Sequence, residues 1–471
     1  MTEKIIYVDG GVCAAQGFHA AGLHAGFKKS KKKDLSLIYS EKLCDAAAAY
    51  TTNKVKGATL KVTMDHLADG RAQAIITNSG YANTLAPNGM EIALKTCELT
   101  GAALGVKPQD VVVCSTGVIG LPPRIEPFEK YVPRLAKAVL DSAGGAGIAG
   151  GESGAGGKGG AGIAGGKVNV SGTGDAGSAG IAGGKVNVSD AGGAGGGAGE
   201  GDGRHYGAGC AAEAIMTTDT VKKEAAVEFR LGKKLCRIGG MAKGSGMINP
   251  NMATMLVFIT TDVSISPPLL RDALKNDINH SFNQISIDGD TSTNDTVVIL
   301  ANGKAKNRRI DSFSHDFHMF SAALNKVTVK LAKMLAKDGE GATKLIECRV
   351  MNAPTDDLAM KISKTVIQSD LVKTAIFGSD ANWGRILCAV GYAPGNFNTD
   401  NVDVVLSSAA GQVTVCEASF AVGFDEALAK HVLAEDEIAI SINLHDGMAG
   451  AEAYGCDLSY EYVKINGMYR T

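Results

Sequence analysis

Between Ala143 and Gly209 the chain gives up the large apolar residues that a packed core needs. Gly and Ala dominate, and the string "AGIAGGKVNVS" occurs twice, from Ala161 and from Ala179, with a fragment "AGIAGG" at Ala146. Such a tract cannot bury enough surface to offset the entropy of ordering it, so a disordered loop is expected there. Two copies without regular apolar positions are too few for a solenoid. The chance GxGxxG spacing within "GAGGKGGAG" lacks the strand and helix that a dinucleotide site requires. Any fold must therefore be assembled from what lies on either side.

On both sides the pattern is mixed. Before the tract, short apolar runs ("LSLIYS", "AQAIITNSG", "VVVCSTGVIG") alternate with helical spacing in "MEIALKTCELTGAALG" and in the second half of "RIEPFEKYVPRLAKAVL", ending near Asp141. After it come two β-rich runs joined by "GKK", a strand "TMLVFITTDVSI" opening at Thr254, and a helix starting at the prolines of "SPPLLRDALKNDINHSF". The Asp-rich "SIDGDTSTNDTVVILANG" follows, then the long helix "FHMFSAALNKVTVKLAKMLAKDG" and the strands "VDVVLSS", "QVTVCEASF" and "EIAISINL". Strands and amphipathic helices in both halves predict an α/β protein, a layered sandwich of β-sheets between helices. At 471 residues there is material for one large layered unit or two domains.

Lys plus Arg (47) and Asp plus Glu (49) nearly cancel, to a net charge of −2. No global field favours nucleic acid or an acidic membrane, so small molecules or other subunits are the expected partners. The run "KKSKKK" (Lys28 to Lys33) reads as a solvated turn. The ten cysteines are dispersed, without CxxC or neighbouring His, which argues against zinc and against a disulfide scaffold. The start "MTEKIIYVDGG" has neither a signal-peptide pattern nor an Arg-rich presequence, and no apolar run approaches a membrane span. A soluble cytoplasmic protein is the expectation.

The junction that carries chemistry is Ala253-Thr254, in "PNMATML". An internal threonine is a poor nucleophile. Freed at its amino side it gains an α-amine with a pKa of about 8, a base within reach of its own hydroxyl. Cleavage would proceed by attack of the Thr254 hydroxyl on the Ala253 carbonyl, an N→O acyl shift, and hydrolysis of the ester; the small Ala253 leaves that carbonyl open. Ala-Thr pairs are common, and on its own this one is better read as a threonine that merely begins a strand.

Its surroundings are more specific. "MAKGSGMINPNMATMLVFITTD" resembles, nearly residue for residue, the signature of the ornithine acetyltransferase (glutamate N-acetyltransferase) family of arginine biosynthesis. "FHAAGLHAGFKKS", "TTNKVKGA", "AIITNSGYAN", "VCSTGVIG", "AIMTTDTVKKEAAVE", "QISIDGDTSTNDTV", "KDGEGATKLIE" and "FGSDANWGRILCAVG" look like further family blocks in family order, and the end of the chain does too. The resemblance spans nearly the whole chain outside the Gly/Ala tract. It implies an N-terminal-nucleophile fold and self-cleavage into an alpha chain (1–253, carrying the 143–209 insertion) and a beta chain (254–471).

The same resemblance implies that Thr254 is the nucleophile and that Thr116 and Gly117 form an oxyanion hole. It places Thr217, Lys243, Thr254, Glu340, Asn466 and Thr471 around the substrate, with the C-terminal tail folded into the pocket. The implied reaction is ping-pong: Thr254 takes acetyl from N-acetylornithine and passes it to glutamate. No cofactor or metal is required, acetyl-CoA is a second donor in some members, and cleaved chains pair as an α2β2 heterotetramer. Asp288, Asp290 and Asp295 lack EF-hand spacing and are read as structural. Three departures from the family pattern stand out: "NSGYANTLAPNG", Ala381 where proline is usual and, largest, the Gly/Ala insert upstream of Thr217. The competing readings are an amidase or aminopeptidase of related fold, in which water takes the acyl group, and a non-catalytic protein that keeps the fold.

Overall fold

The computed structural model describes residues 4–145, 205–248 and 255–468. Most of the Gly/Ala tract, Ala253, Thr254 and Thr471 lie outside the described residues, and so does the expectation of disorder. The tract's expected bounds are too wide at both ends. A helix, Glu126–Gly145, runs past Ala143, and another, Ala208–Ile215, begins before Gly209 ends the tract. Alanines contribute to helix and core alike when larger neighbours supply the buried surface.

The first ten strands are β1 (Ile6–Tyr7), β2 (Phe18–Leu23), β3 (Leu35–Tyr50), β4 (Arg71–Tyr81), β5 (Val111–Val118), β6 (Lys223–Leu231), β7 (Lys234–Lys243), β8 (Leu256–Thr261), β9 (Ile285–Ser286) and β10 (Thr296–Ala301). All but β9 form one sheet in the order β1-β6-β7-β8-β10-β3-β4-β5, with β2 also paired to β3. The "GKK" run is the β6–β7 hairpin, as its turn composition predicts. β8 and β10 are parallel and joined through the helix Pro267–Asn279, the crossover that a parallel pair requires.

The central strands "LVFITT" and "TVVILA" are buried along their whole length, the signature of a strand covered on both faces. Because side chains alternate, Val257, Ile259, Val297 and Ile299 enter one core, with the helices Pro267–Asn279 and His315–Lys337. Leu256, Phe258, Val298 and Leu300 enter another, with the helix Ala208–Ile215. The helices Gly89–Leu104 and Glu126–Gly145 cover the β3–β5 end of the sheet. In the second of these, Pro133 sits mid-helix on the exposed side, while Phe128, Val132, Leu135, Ala136 and Val139 are buried to either side of it. Burial of that face keeps the segment helical through the proline, so the helix is longer than its spacing suggests.

A second sheet is formed by β9 with β11 (Leu345–Ala353), β12 (Asp403–Ser408), β13 (Gly411–Glu417), β14 (Phe420–Ala421), β15 (Glu437–Asn443) and β16 (Ala449–Cys456), in the order β14-β13-β12-β15-β11-β16-β9. Its core includes Ala381, away from the cavity described next. No described helix is long and apolar enough to cross a membrane. Two sheets layered with helices make the α/β sandwich expected from the pattern.

Candidate active site

A cavity of about 390 Å³ opens where β5 and β7 end. Thr116, Gly117, Thr217, Lys243, Glu340 and Asn466 all line it, so every described residue of the expected site meets in one place. These six come from segments up to hundreds of residues apart in the sequence.

Thr116 and Gly117 sit at a bulge between the parallel strands β4 and β5, a device that re-aims side chains at a strand's end. Gly117 has φ +130°, and a Cβ there would lie 2.4 Å from the carbonyl carbon of Gly80. Only glycine permits this close approach. Asn294 fastens the bulge: its Nδ2 donates to the carbonyls of Ala82 (2.6 Å) and Ser115 (2.9 Å). Its Oδ1 accepts from Thr84 and from Thr293, both at 2.7 Å. Thr84, within the departing "NTLAPNG" loop, thus supports the cavity-lining Asn294 from behind.

Lys243, at the last position of β7, is 1% exposed, and its Nζ donates to Thr116 Oγ1 at 3.4 Å. Burial pulls its pKa down, Asp219 opposes that pull, and the like charge of Lys223 adds to it. Glu340 is 7% exposed and accepts from Asn466 Nδ2 at 2.7 Å. Room for its carboxylate depends on Gly246, where a Cβ would come within 2.3 Å of Glu340 Oε2. Asn466 lies on the helix Tyr460–Gly467, one turn beyond Tyr462, whose hydroxyl donates to Asp288. The C-terminal segment thereby closes one side of the cavity.

The Asp-rich segment grips both ends of the 249–254 stretch. Asp288 accepts from the Met247 and Ile248 amides, and Asp295 Oδ1 accepts from the Met255 amide at 3.0 Å. Met255 O in turn accepts from the Thr296 amide. Burial drives the Asp295 carboxyl well above the usual carboxylate range. Its Oδ2 is bonded by none of the described residues. Asp290 stays exposed, its amide bonded to Asp288.

Sequence reasoning missed three buried ions behind the cavity, Asp219, Lys223 and Asp338. The four-residue spacing of acid and base in "DTVKK" was their only signal. The basic run is less solvated than its composition suggests. Lys29 to Lys32 are exposed, but Lys28 Nζ donates to Met216 O, and Lys33 pairs with Glu213 at 2.7 Å. Partial burial brings the Lys28 pKa down to about 8.

This helix-flanked two-sheet α/β body is that of an acyltransferase. The ArgJ family model matches residues 19–153 and 177–471, leaving out part of the Gly/Ala tract. The chain belongs to the ArgJ family. It is 43% identical over 465 residues to the "Arginine biosynthesis bifunctional protein ArgJ" of Caldanaerobacter subterraneus subsp. tengcongensis, covering 98% of this chain and 99% of that one. It is 42% identical to "Arginine biosynthesis bifunctional protein ArgJ 1" of Clostridium acetobutylicum, covering 96% of each. Among solved structures, the arginine biosynthesis bifunctional protein of Bacillus halodurans is 45% identical, with a TM-score of 0.43, over 45% of this chain and 97% of that one.

Proposed function

We propose that this enzyme serves arginine biosynthesis by moving an acetyl group from N-acetylornithine to glutamate through an ester on Thr254, after cleaving itself between Ala253 and Thr254. The observation that carries this reading is the single cavity lined by Thr116, Gly117, Thr217, Lys243, Glu340 and Asn466. It is polar where a small amino-acid derivative needs partners.

In this reading the freed amine of Thr254 takes the proton of its own hydroxyl as that oxygen attacks the acetyl carbonyl. The negative oxygen that develops meets the Thr116 hydroxyl and the Gly117 N–H, and one such donor is typically worth about 3 kcal/mol. Because the Thr116 oxygen accepts from Lys243, its own proton is free to point at the oxyanion. Lys243 and Thr217 suit a substrate carboxylate, and Glu340, oriented by Asn466, suits the ornithine ammonium or the proton of the attacking amine. Water as acceptor would make the enzyme an amidase. Lys243 and Glu340, opposite charges lining one cavity and complementary to an amino acid, favour an amine acceptor.

Segments 1–253 and 254–471 are the alpha and beta chains of the mature enzyme, two of each forming the working assembly, in the cytoplasm. The test is incubation with acetyl-labelled N-acetylornithine and glutamate, with an acid quench. Labelled N-acetylglutamate and a labelled fragment beginning at Thr254 are expected. Release of labelled acetate alone would establish the amidase instead, and an unlabelled Thr254 fragment would overturn the ester mechanism.

A further inference from the structure

Lys223 is 0% exposed, an unusual place for an ammonium, and each of its three donor directions is used. Nζ donates to Asp219 Oδ1 at 2.7 Å, to Asp338 Oδ2 at 2.5 Å and to Val221 O at 3.1 Å. Stability is a weak reason to retain such a cluster, since apolar residues of matching shape often serve as well. What distinguishes it is where the two carboxylates spend their remaining acceptors.

Asp219 accepts from the Thr217 amide at 3.0 Å through one oxygen and from the Gly244 amide at 2.8 Å through the other. Those amides belong to a cavity-lining residue and to the neighbour of Lys243. Asp338, just past the end of the helix His315–Lys337, accepts from the Thr220 amide and hydroxyl. Its own carbonyl accepts from Ser245 Oγ, and the Ser245 carbonyl accepts from the Glu340 amide at 3.3 Å. The cluster therefore has Thr217 and Lys243 on one side and Glu340 on the other. Asp219 and Lys223 precede the Ala253-Thr254 bond, whereas Asp338 follows it.

We propose that Lys223 is a positioning residue for the acetyl-transfer site, tying Thr217 and Lys243 to Glu340 through Asp219 and Asp338, the two residues it joins. This rests on the acetyl-transfer reading of the cavity. Lys223 touches no substrate and acts by holding the groups that do. It also faces Lys243 as a like charge, among the other ionisable neighbours of that ammonium: Asp219, Asp295, Glu340 and Lys28.

The experiment compares the full-length wild type, Lys223→Met, and Lys223→Met combined with Asp338→Asn, which removes one charge of each sign and so leaves the net charge of the buried cluster unchanged. Wild type is first assayed for N-acetylglutamate formed from N-acetylornithine and glutamate; no product there defeats the acetyl-transfer reading and leaves the role of Lys223 a separate matter. With wild type active, KM for both substrates should rise roughly ten- to hundredfold in each folded, two-chain variant, with a smaller change in kcat. In Lys223→Met the alkaline limb of kcat/KM should also move to higher pH, because the loss of a nearby positive charge favours protonated Lys243. If Lys223→Met fails to fold, the KM values of the charge-conserving double variant decide. A folded variant with wild-type KM and an unmoved alkaline limb would overturn the proposal, and a loss of thermal stability alone would mark the cluster as purely structural.

Discussion

Lys243 donates a hydrogen bond to Thr116 across 3.4 Å, joining the end of β7 to the end of β5 at the floor of the cavity. The Thr116 hydroxyl thus has one lone pair occupied and its proton available. Thr116→Val keeps the shape and removes the donor. We expect kcat to fall by about a hundredfold with little change in KM, and Thr116→Ser to retain most of the wild-type rate. Steady-state kinetics on the three proteins checks this.

Asp295 should govern maturation. Its Oδ1 holds the Met255 amide, one peptide beyond the expected cleavage point. Asp295→Ala leaves that buried amide without an acceptor, which costs about 1–3 kcal/mol, and should slow the appearance of two fragments on a denaturing gel at least severalfold. Asp295→Asn keeps an acceptor oxygen in place and should mature close to the wild-type rate. Equal time courses for all three would separate Asp295 from cleavage.

Lys364 gives a pH signature outside the site. Burial lowers its pKa from 10.5 to about 8, while its Nζ donates to Asn283 O at 2.7 Å. Below pH 8 it is charged in both the folded and unfolded states, so the burial penalty is fully present. Between pH 8 and 10.5 the folded state loses the proton while the unfolded state keeps it. There the unfolded chain binds more protons and stability rises with pH. Lys364→Met should therefore be more stable than wild type by about 1–2 kcal/mol at pH 7, after the lost hydrogen bond is discounted. The advantage should vanish by about pH 9.5 and reverse towards pH 10.5, where wild type keeps its hydrogen bond without the burial penalty, as read by denaturant melts across that range.

The flanks of the Gly/Ala tract are fastened to each other. Ser142 and Tyr206 share a hydrogen bond, and both contact His19, which pairs with Glu41 at 2.9 Å. Replacing residues 146–204 by a short Gly/Ser linker should leave acetyl transfer within roughly twofold of wild type, because closing a shorter loop costs little. Loss of activity in a folded, cleaved variant would assign that tract a part in the reaction.

Much of this was legible in the primary structure where periodicity and chemistry agree. β8 and β10 announce themselves as uninterrupted β-branched and aromatic runs, and "GKK" gives away its hairpin. The cavity's expected lining was reached through family blocks, not through spacing: nothing in the local pattern of Thr116 or Asn466 says that they share a wall. Strand order was not legible, because the pairing of β8 with β10 and of β10 with β3 depends on long-range burial. The ions behind the site were hidden for a related reason. Lys223 and Asp338 look like ordinary surface charges until the fold brings them together across more than a hundred residues.

Strands from before and after the Ala253-Thr254 bond are interleaved. β7 lies against β8, and β10 against both β8 and β3. Scission there would thus alter connectivity without altering neighbours. Neither fragment would own a complete hydrophobic interior, so the severed halves should stay together through ordinary dilution and melt in one cooperative step. An enzyme laced in this way can expose a fresh amino end at its centre without ever coming apart.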